Sequence, residues 1–422
     1  MNNIKKSHSE CNLAEWLSYL ESIHPSEIDM GLERISVVAQ RLAIDLTFAQ
    51  IITVAGTNGK GTTCAFIENA LLAQEHTVAV YSSPHIERFN ERLRIDLHDV
   101  DDQHLIDAFN QIEQARAEIS LTYYEFTTLA ALLVLMKVKP EYIILEVGLG
   151  GRLDATNIID ADIAVITTVD LDHQAFLGDT RELIGAEKAG IMRANQLVVI
   201  GDKSPPQSVL AHGKQLNTRL YLRGRDFQIT HSLTDHLWQW QHDEKSFRQL
   251  PPAHIPIDNI ATALMVLELL SINLQAQQVY KLIEQTQVAG RTELLNDGQH
   301  QVMVDVGHNP LAARYLGEKI STMKVNNVHA VIGMLADKDI ENTIKPLIEQ
   351  VGHWYLCSLS VARGASAETL DNMFPANDSS QRLSFDNVSD GFRMARSQAD
   401  KDDLILVFGS FFTVAEVKSL YN

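Results

Sequence analysis

The run Ala55-Gly56-Thr57-Asn58-Gly59-Lys60-Gly61-Thr62-Thr63 constrains this chain most. Residues 51–54 before it form a short apolar run that reads as a buried strand, and residues 63–73 after it read as a helix. Strand, glycine-rich turn, lysine and helix in this order describe a phosphate-binding loop. The glycines let backbone N–H groups turn inward around phosphate oxygens, and the helix N-terminus adds partial positive charge. Lys60 can reach the terminal phosphates, and a threonine hydroxyl can face a metal. The spacing from Gly56 to Gly59 is shorter than in the common G-x-x-x-x-G-K-[ST] pattern, and Gly61 separates Lys60 from Thr62. A glycine-rich strand-to-helix connection without a ligand is the plainer alternative. A GTP-driven switch would need a guanine-reading N-K-x-D, and the chain contains no Asn-Lys dipeptide.

The strand–helix alternation continues along the chain. Residues 78–81, 142–147, 163–167 and 197–200 read as further strands of a mostly parallel sheet. Residues 220–250 alternate polar and aromatic side chains, as in a small antiparallel β appendage. A second series starts at Gln301, with strands at 301–306, 329–332, 354–358 and 404–408. Near the N-terminus, residues 13–43 read as two helices broken at Pro25. The 422 residues exceed one compact core. The expected division is a first domain at 1–289, a linker at 290–299 around the polar stretch 296–300, and a second domain at 300–422.

Composition narrows the partners. A formal charge of -19 disfavours a nucleic-acid binder. The three cysteines, Cys11, Cys64 and Cys357, form no C-x-x-C pair, so neither a zinc knuckle nor a disulfide framework is expected. The longest purely apolar run, 129–136, is too short to span a bilayer, and Lys5 and Lys6 precede no apolar stretch. A cytoplasmic protein without a membrane partner is expected.

Three more segments fall where parallel strands should end, which is where α/β folds build ligand sites. They are Ser82-Ser83-Pro84-His85, Glu146 ahead of Gly148-Leu149-Gly150-Gly151, and Asp170-Leu171-Asp172-His173. Ser83 and Glu146 offer oxygens suited to magnesium, whereas His173 is a less orthodox ligand. A paired structural carboxylate is the alternative for Glu146, and a capping or core histidine for His173.

At this point the motifs resemble a family. G-T-N-G-K-G-T-T at 56–63, Y-S-S-P-H at 81–85, L-E-V-G-L-G-G-R-L-D-A-T-N at 145–157, L-D-H at 171–173 and E-K-A-G-I at 187–191 are similar to the Mur ligase superfamily. D-V-G-H-N-P at 305–310 and I-G-M-L-A-D-K-D at 332–339 extend the likeness over nearly the whole chain. It is strongest to the folylpolyglutamate synthase branch, in particular to bacterial members with both dihydrofolate synthase and folylpolyglutamate synthase activities. The resemblance implies a P-loop ATPase domain and a smaller Rossmann-like C-terminal domain, with the active site between them. It implies that Gly59, Lys60, Gly61 and Thr62 hold ATP phosphates, that Asn259, Arg291 and Asp305 contact ATP, and that Ser83, Glu146 and His173 bind one or two Mg²⁺ ions. It implies that Lys188 is carbamylated. Segments around Ser22, Ile23, His24, Pro25 and Asp29, around Thr122, Tyr123, Tyr124 and Glu125, and at Leu153 are implied to line the pteroate site. Departures are Thr292 after Gly290-Arg291, Gly307 where the usual run has alanine, and Tyr124 where phenylalanine is common.

The implied reaction joins L-glutamate to dihydropteroate or to a tetrahydrofolate. ATP would convert the carboxylate into an acyl phosphate, which the glutamate amine then attacks. His308 is a candidate for touching the γ-phosphate or the glutamate; a structural histidine at a strand end is the alternative. From the residues alone, Tyr123 and Tyr124 read as two half-buried tyrosines in a loop, and Lys188 as a surface lysine paired with Glu187 at a helix start. The rivals are a monofunctional folylpolyglutamate synthase, a Mur-type amino-acid ligase and a non-catalytic nucleotide-binding regulator. A monomer is expected.

Overall fold

A computed structural model of the chain describes residues 11–26, 28–232, 236–296, 298–376, 378 and 380–421. Lys5 and Lys6, Glu27 of the 22–29 segment and Asp297 of the polar stretch lie outside the described residues. The chain divides into two compact units. One comprises the chain up to Val169 with Arg181–Pro252 and Ile257–Glu284; the other comprises Asp170–Thr180, Ala253–Pro256 and Gln285–Asn422.

The first unit is built on a mostly parallel sheet. Its strands are β1 (Gln50–Ala55), β2 (Val78–Tyr81), β3 (Leu93–Ile95), β4 (His98–Asp99), β5 (Tyr142–Glu146), β6 (Ile163–Ile166), β7 (Leu197–Ile200) and β8 (Arg219–Leu222). They lie in the order β4-β3-β2-β5-β1-β6-β7-β8, with only the β2-β3-β4 meander antiparallel. The central strands are apolar on both faces because helices cover both sides. One cover is the helix Tyr123–Val138, buried along most of its length. Trp16, from the helix Leu13–Ser22, packs on Phe109 and Phe126 at ring distances of 5.6 and 6.3 Å. Full burial of such a side chain stabilises by roughly 1.5–3 kcal/mol. Strands β9 (Phe227–His231), β10 (Trp238–His242) and β11 (Lys245–Leu250) form the expected antiparallel appendage. Its Trp240 is fully buried and donates to the Ala261 carbonyl at 3.1 Å. Residues 220–222, the start of that stretch, instead belong to β8 and extend the large sheet.

The second unit holds a six-stranded sheet of β12 (Glu293–Asn296), β13 (Gln301–Asp305), β14 (Val328–Ile332), β15 (His353–Cys357), β16 (Gln381–Phe385) and β17 (Leu404–Phe408), in the order β12-β13-β17-β14-β15-β16. All pairs are parallel except β12 with β13. The expected linker at 290–299 is therefore corrected: Glu293–Asn296 is an edge strand hydrogen-bonded to β13. The expected single boundary is corrected too, since residues 170–180, with His173, belong to the second unit. Among the described residues no helix is long and apolar enough to cross a membrane.

Candidate active site

The phosphate-binding loop leaves β1 at Ala55 and opens the helix Lys60–Leu72. Residues after β6 hold it from below: Thr57 N–H donates to Thr168 O at 2.8 Å and the Thr167 hydroxyl donates to Asn58 O at 2.6 Å. Gly59 has φ +87°, and a Cβ there would collide with the Asn259 amide. Asn259 Nδ2 donates to the Thr62 hydroxyl at 2.8 Å, and that hydroxyl donates to Gly59 O at 3.1 Å. Asn259 thus meets the loop across 197 residues of sequence. Lys60 Nζ donates to Gly56 O at 3.0 Å, so the ammonium lies over the loop's own turn.

Parallel pairing of Val54 with Glu146 sets the end of β5 beside the start of the loop. Glu146 is buried, and a Cβ on Gly61 would stand 3.7 and 3.8 Å from its carboxylate oxygens. Ser83 follows β2 one strand away. The donors of this unit, a carboxylate with the Ser83 and Thr62 hydroxyls, are all oxygens and fit a hard divalent cation. His173 lies in the second unit, at the start of the short helix Gln174–Leu177, and its side chain makes no capping hydrogen bond there.

The segments implied to line the pteroate site are brought together. Thr122 is the N-cap of the helix Tyr123–Val138 and forms a capping box with Glu125, so both tyrosines begin a helix; the loop reading is corrected. Arg34 joins Asp29 (2.7 Å) to Glu125 (3.3 Å). The Ser120 hydroxyl donates to Ile23 O at 3.2 Å. His24 accepts from Ser26 N–H through Nδ1 at 3.2 Å, and Ser22 donates to Tyr19 O at 2.7 Å, closing the helix before Pro25. The Tyr124 ring packs with the Ser83 hydroxyl over Gly148, where a Cβ would meet it at 2.7 Å. Burial and then the Asp154 charge push the Tyr124 phenol well above its ordinary value. Leu153 stands in the turn after β5, next to buried Asp154, whose carboxylate accepts from Leu149 N–H at 2.9 Å and Thr156 N–H at 3.0 Å.

Lys188 departs from its plain sequence reading. It lies near the C-terminus of the helix Arg181–Ala189 and is only 3% exposed. Glu187 pairs with Arg152 at 2.9 Å instead, and a Cβ on Gly151 would come within 3.0 Å of Lys188 Cα.

The second unit has a polar centre of its own. Asp172 Oδ1 accepts from Lys338 Nζ at 2.8 Å, and Asp172 Oδ2 accepts from Asn309 Nδ2 at 3.2 Å and lies 3.6 Å from His308 Nε2. Lys338 Nζ is 3.3 Å from His173 Nε2. Burial would raise the Asp172 carboxyl, but His308, Lys338 and His173 outweigh it and hold it far below the carboxylate range. His308 Nδ1 is 2.9 Å from Val306 O, a geometry that suits Nδ1–H donation and leaves Nε2 to face Asp172. These residues line a pocket with Leu171, Gln174, Pro310 and Asp337. Asp172, His173 and His308 each offer a ligand atom, all within 4.8 Å, and the Lys338 ammonium already stands among them. Asp305 is buried and accepts from Thr292 N–H (2.8 Å) and Gly307 N–H (2.7 Å); burial raises its carboxyl against the opposing charge of Arg291. The Arg291 guanidinium lies 5.3 Å over the Phe411 ring. Asp172 and Lys338 were not among the residues expected from sequence. They stand in the quoted L-D-H and A-D-K-D runs, 166 residues apart, and only folding makes them neighbours.

Comparison with known proteins completes the assignment. The Mur ligase middle domain matches residues 54–226, and the Mur ligase glutamate ligase domain matches residues 290–411. A Haemophilus influenzae dihydrofolate synthase/folylpolyglutamate synthase is 41% identical, with 99% of each chain covered. The Escherichia coli FolC structure in complex with DHPP and ADP superposes with a TM-score of 0.93 at 40% identity, covering 99% of each chain. A bifunctional folylpolyglutamate synthase/dihydrofolate synthase with Mn, AMPPNP and L-glutamate bound superposes with a TM-score of 0.91 at 42% identity, covering 99% of this chain and 100% of that one. The chain belongs to the dihydrofolate synthase/folylpolyglutamate synthase family of Mur ligases.

Proposed function

We infer that the chain is an ATP-dependent carboxylate–amine ligase that joins L-glutamate to dihydropteroate, giving dihydrofolate, and to tetrahydrofolates, giving their polyglutamates. A phosphate loop and a buried carboxylate specify only nucleotide chemistry. The likeness over 99% of the chain to relatives named for both activities carries the substrate assignment.

A carboxylate is a poor electrophile because its oxygen is a poor leaving group. Attack by a carboxylate oxygen on the γ-phosphorus of ATP breaks the bond to ADP and leaves an acyl phosphate. Lys60 and the loop N–H groups are proposed to neutralise the phosphate oxygens, and Asn259 ties to the first helical turn through Thr62. Ser83 and Glu146 are proposed to hold a divalent ion, one or two of which serve the reaction, and His173 is proposed as a ligand on its own segment. When bound, the ion supplies positive charge to the phosphate oxygens. The neutral α-amine of glutamate then attacks the acyl carbon, inorganic phosphate leaves, and the amine proton passes to solvent or to a base. His308, whose Nε2 lies 3.6 Å from Asp172, is proposed to touch the γ-phosphate or the glutamate. Arg291 and Asp305 are proposed to contact ATP, and Lys188 to work as a carbamate. The first unit is proposed to carry ATP and pteroate, and the second the glutamate-ligase domain. We propose a cytoplasmic monomer whose partners are these small molecules, without nucleic acid or membrane.

The test supplies purified protein with ATP, L-glutamate and either dihydropteroate or tetrahydrofolate, and identifies products by mass. Both should gain one glutamyl residue. Turnover of tetrahydrofolate alone would support the monofunctional reading, and turnover of neither would overturn the assignment.

A further inference from the structure

Arg92 ends the 3-10 turn Phe89–Arg92 and stands just before Leu93, which pairs with Tyr81 at the carboxyl end of β2. Its guanidinium carbon is 5.5 Å from the ring centroid of Phe89 and 5.5 Å from that of Tyr123. Its Nε–H donates to His85 Nδ1 at 2.9 Å. Two aromatic faces and one hydrogen bond therefore hold the group in place. Among the described residues its two Nη nitrogens donate to nothing, and no carboxylate lies within ion-pair distance. The adjacent acid is already committed: Glu91 accepts from the N–H groups of Ile86, Glu87 and Arg88 at 2.8, 2.9 and 2.6 Å. Arg34, Arg94, Arg116 and Arg152 of the same unit all have acid partners. In a chain of formal charge -19, a fixed arginine fork without an acid points to an anion that arrives with a ligand.

The surroundings say which anion. Arg92 lies at the carboxyl end of the sheet, the end that also carries the phosphate loop. It lies against Tyr123, whose neighbour Tyr124 packs with Ser83 over Gly148. A guanidinium fork matches a carboxylate through two parallel N–H···O bonds, and fixing it beforehand lowers the ordering cost of binding. Dihydropteroate has one carboxylate, and it is the group that reacts. A tetrahydrofolate has a glutamyl tail with two carboxylates; one is extended, and the other stays charged throughout and needs a cation.

We propose that Arg92 binds the unreacting α-carboxylate of the glutamyl tail of tetrahydrofolates, and so serves chain extension more than dihydrofolate formation. This subsite rests on the ligase function proposed above. The incoming L-glutamate is the other source of a carboxylate, and the experiment separates the two.

Wild type, Arg92→Gln and Arg92→Lys are compared for kcat/KM with tetrahydrofolate and with dihydropteroate, for the KM of L-glutamate, and for tetrahydrofolate binding without ATP. In Arg92→Gln the ratio of kcat/KM for tetrahydrofolate to that for dihydropteroate should fall about 10- to 100-fold, as for loss of a charge-assisted bidentate contact. The Kd for tetrahydrofolate should rise by a similar factor. Arg92→Lys, which keeps the charge but not the fork, should lie between, and decides the matter if the glutamine variant does not fold. Equal losses with both folate substrates, a raised KM for L-glutamate with either, or an unchanged ratio would overturn the subsite. A wild-type enzyme that turned over neither substrate would instead refute the ligase assignment itself.

Discussion

Lys60 and Lys188 are both lysines of the first unit, and sequence served them unequally. The place of Lys60 was legible, because strand, glycine-rich turn and helix follow one another in the sequence as they do in the fold. In the proposed mechanism substitution of Lys60 by alanine removes charge from the phosphates and no core contact. Lys60→Ala should lower kcat by about 10²–10³-fold or more while its thermal midpoint stays close to wild type. Wild-type phosphate release from the folded variant would remove the loop from the mechanism. Lys188 was not legible from spacing, because the acid beside it, Glu187, turns to Arg152. A buried lysine is costly as an ammonium and favours the neutral amine to which carbon dioxide adds. Carbamylation turns it into an anion with two oxygens, which suits a site that takes a divalent cation. Lys188→Ala should be nearly inactive, and a short carboxylic acid in the buffer should restore part of the rate. Full activity of Lys188→Ala without that acid would rule out the carbamate.

At the scale of elements, the parallel strands were readable because burial on both faces leaves near-continuous apolar runs, as in β5 and β17. The edge strands were not. β12 is four residues beside a polar loop, and β16 has no buried residue to mark a period. The start of the helix Tyr123–Val138 could have been found, since Thr122 and Glu125 have the three-residue spacing of a capping box. The buried polar group on β14 was also hidden. His329 stacks on His353 at 4.6 Å, with Tyr355 Oη 2.9 Å from Nδ1 and Asp403 3.3 Å from Nε2. Burial first, and the neighbouring His353, lower its pKa below 6.5 against the opposing pull of Asp403. A histidine depressed in the folded state binds its proton more readily when unfolded. Its stabilising contribution is therefore complete above the unfolded pKa and is lost as pH falls through the folded value. The net lowering of Asp403, by hydrogen bonds from Asp400, Asn327 and His329 that outweigh burial, acts in the same direction at lower pH. The denaturation midpoint of the second unit should fall between about pH 8 and about pH 5, and less steeply in His329→Gln. A variant with the wild-type slope would exclude this histidine as the cause.

For the whole molecule, the net charge of -19 matches the sign of every proposed substrate, so binding calls for local cations, the proposed ones being Lys60 and Arg92. The two α/β series were evident in the sequence, but the return of residues 170–180 to the second unit was not, because short connecting segments carry no periodic signal. In the proposed mechanism ATP activates the folate carboxylate by taking one of its oxygens. The most direct test uses dihydropteroate labelled with ¹⁸O in its carboxylate, together with ATP and L-glutamate, and measures the mass of the released phosphate. Each phosphate formed with dihydrofolate should carry one labelled oxygen. Unlabelled phosphate accompanying dihydrofolate formation would contradict that mechanism.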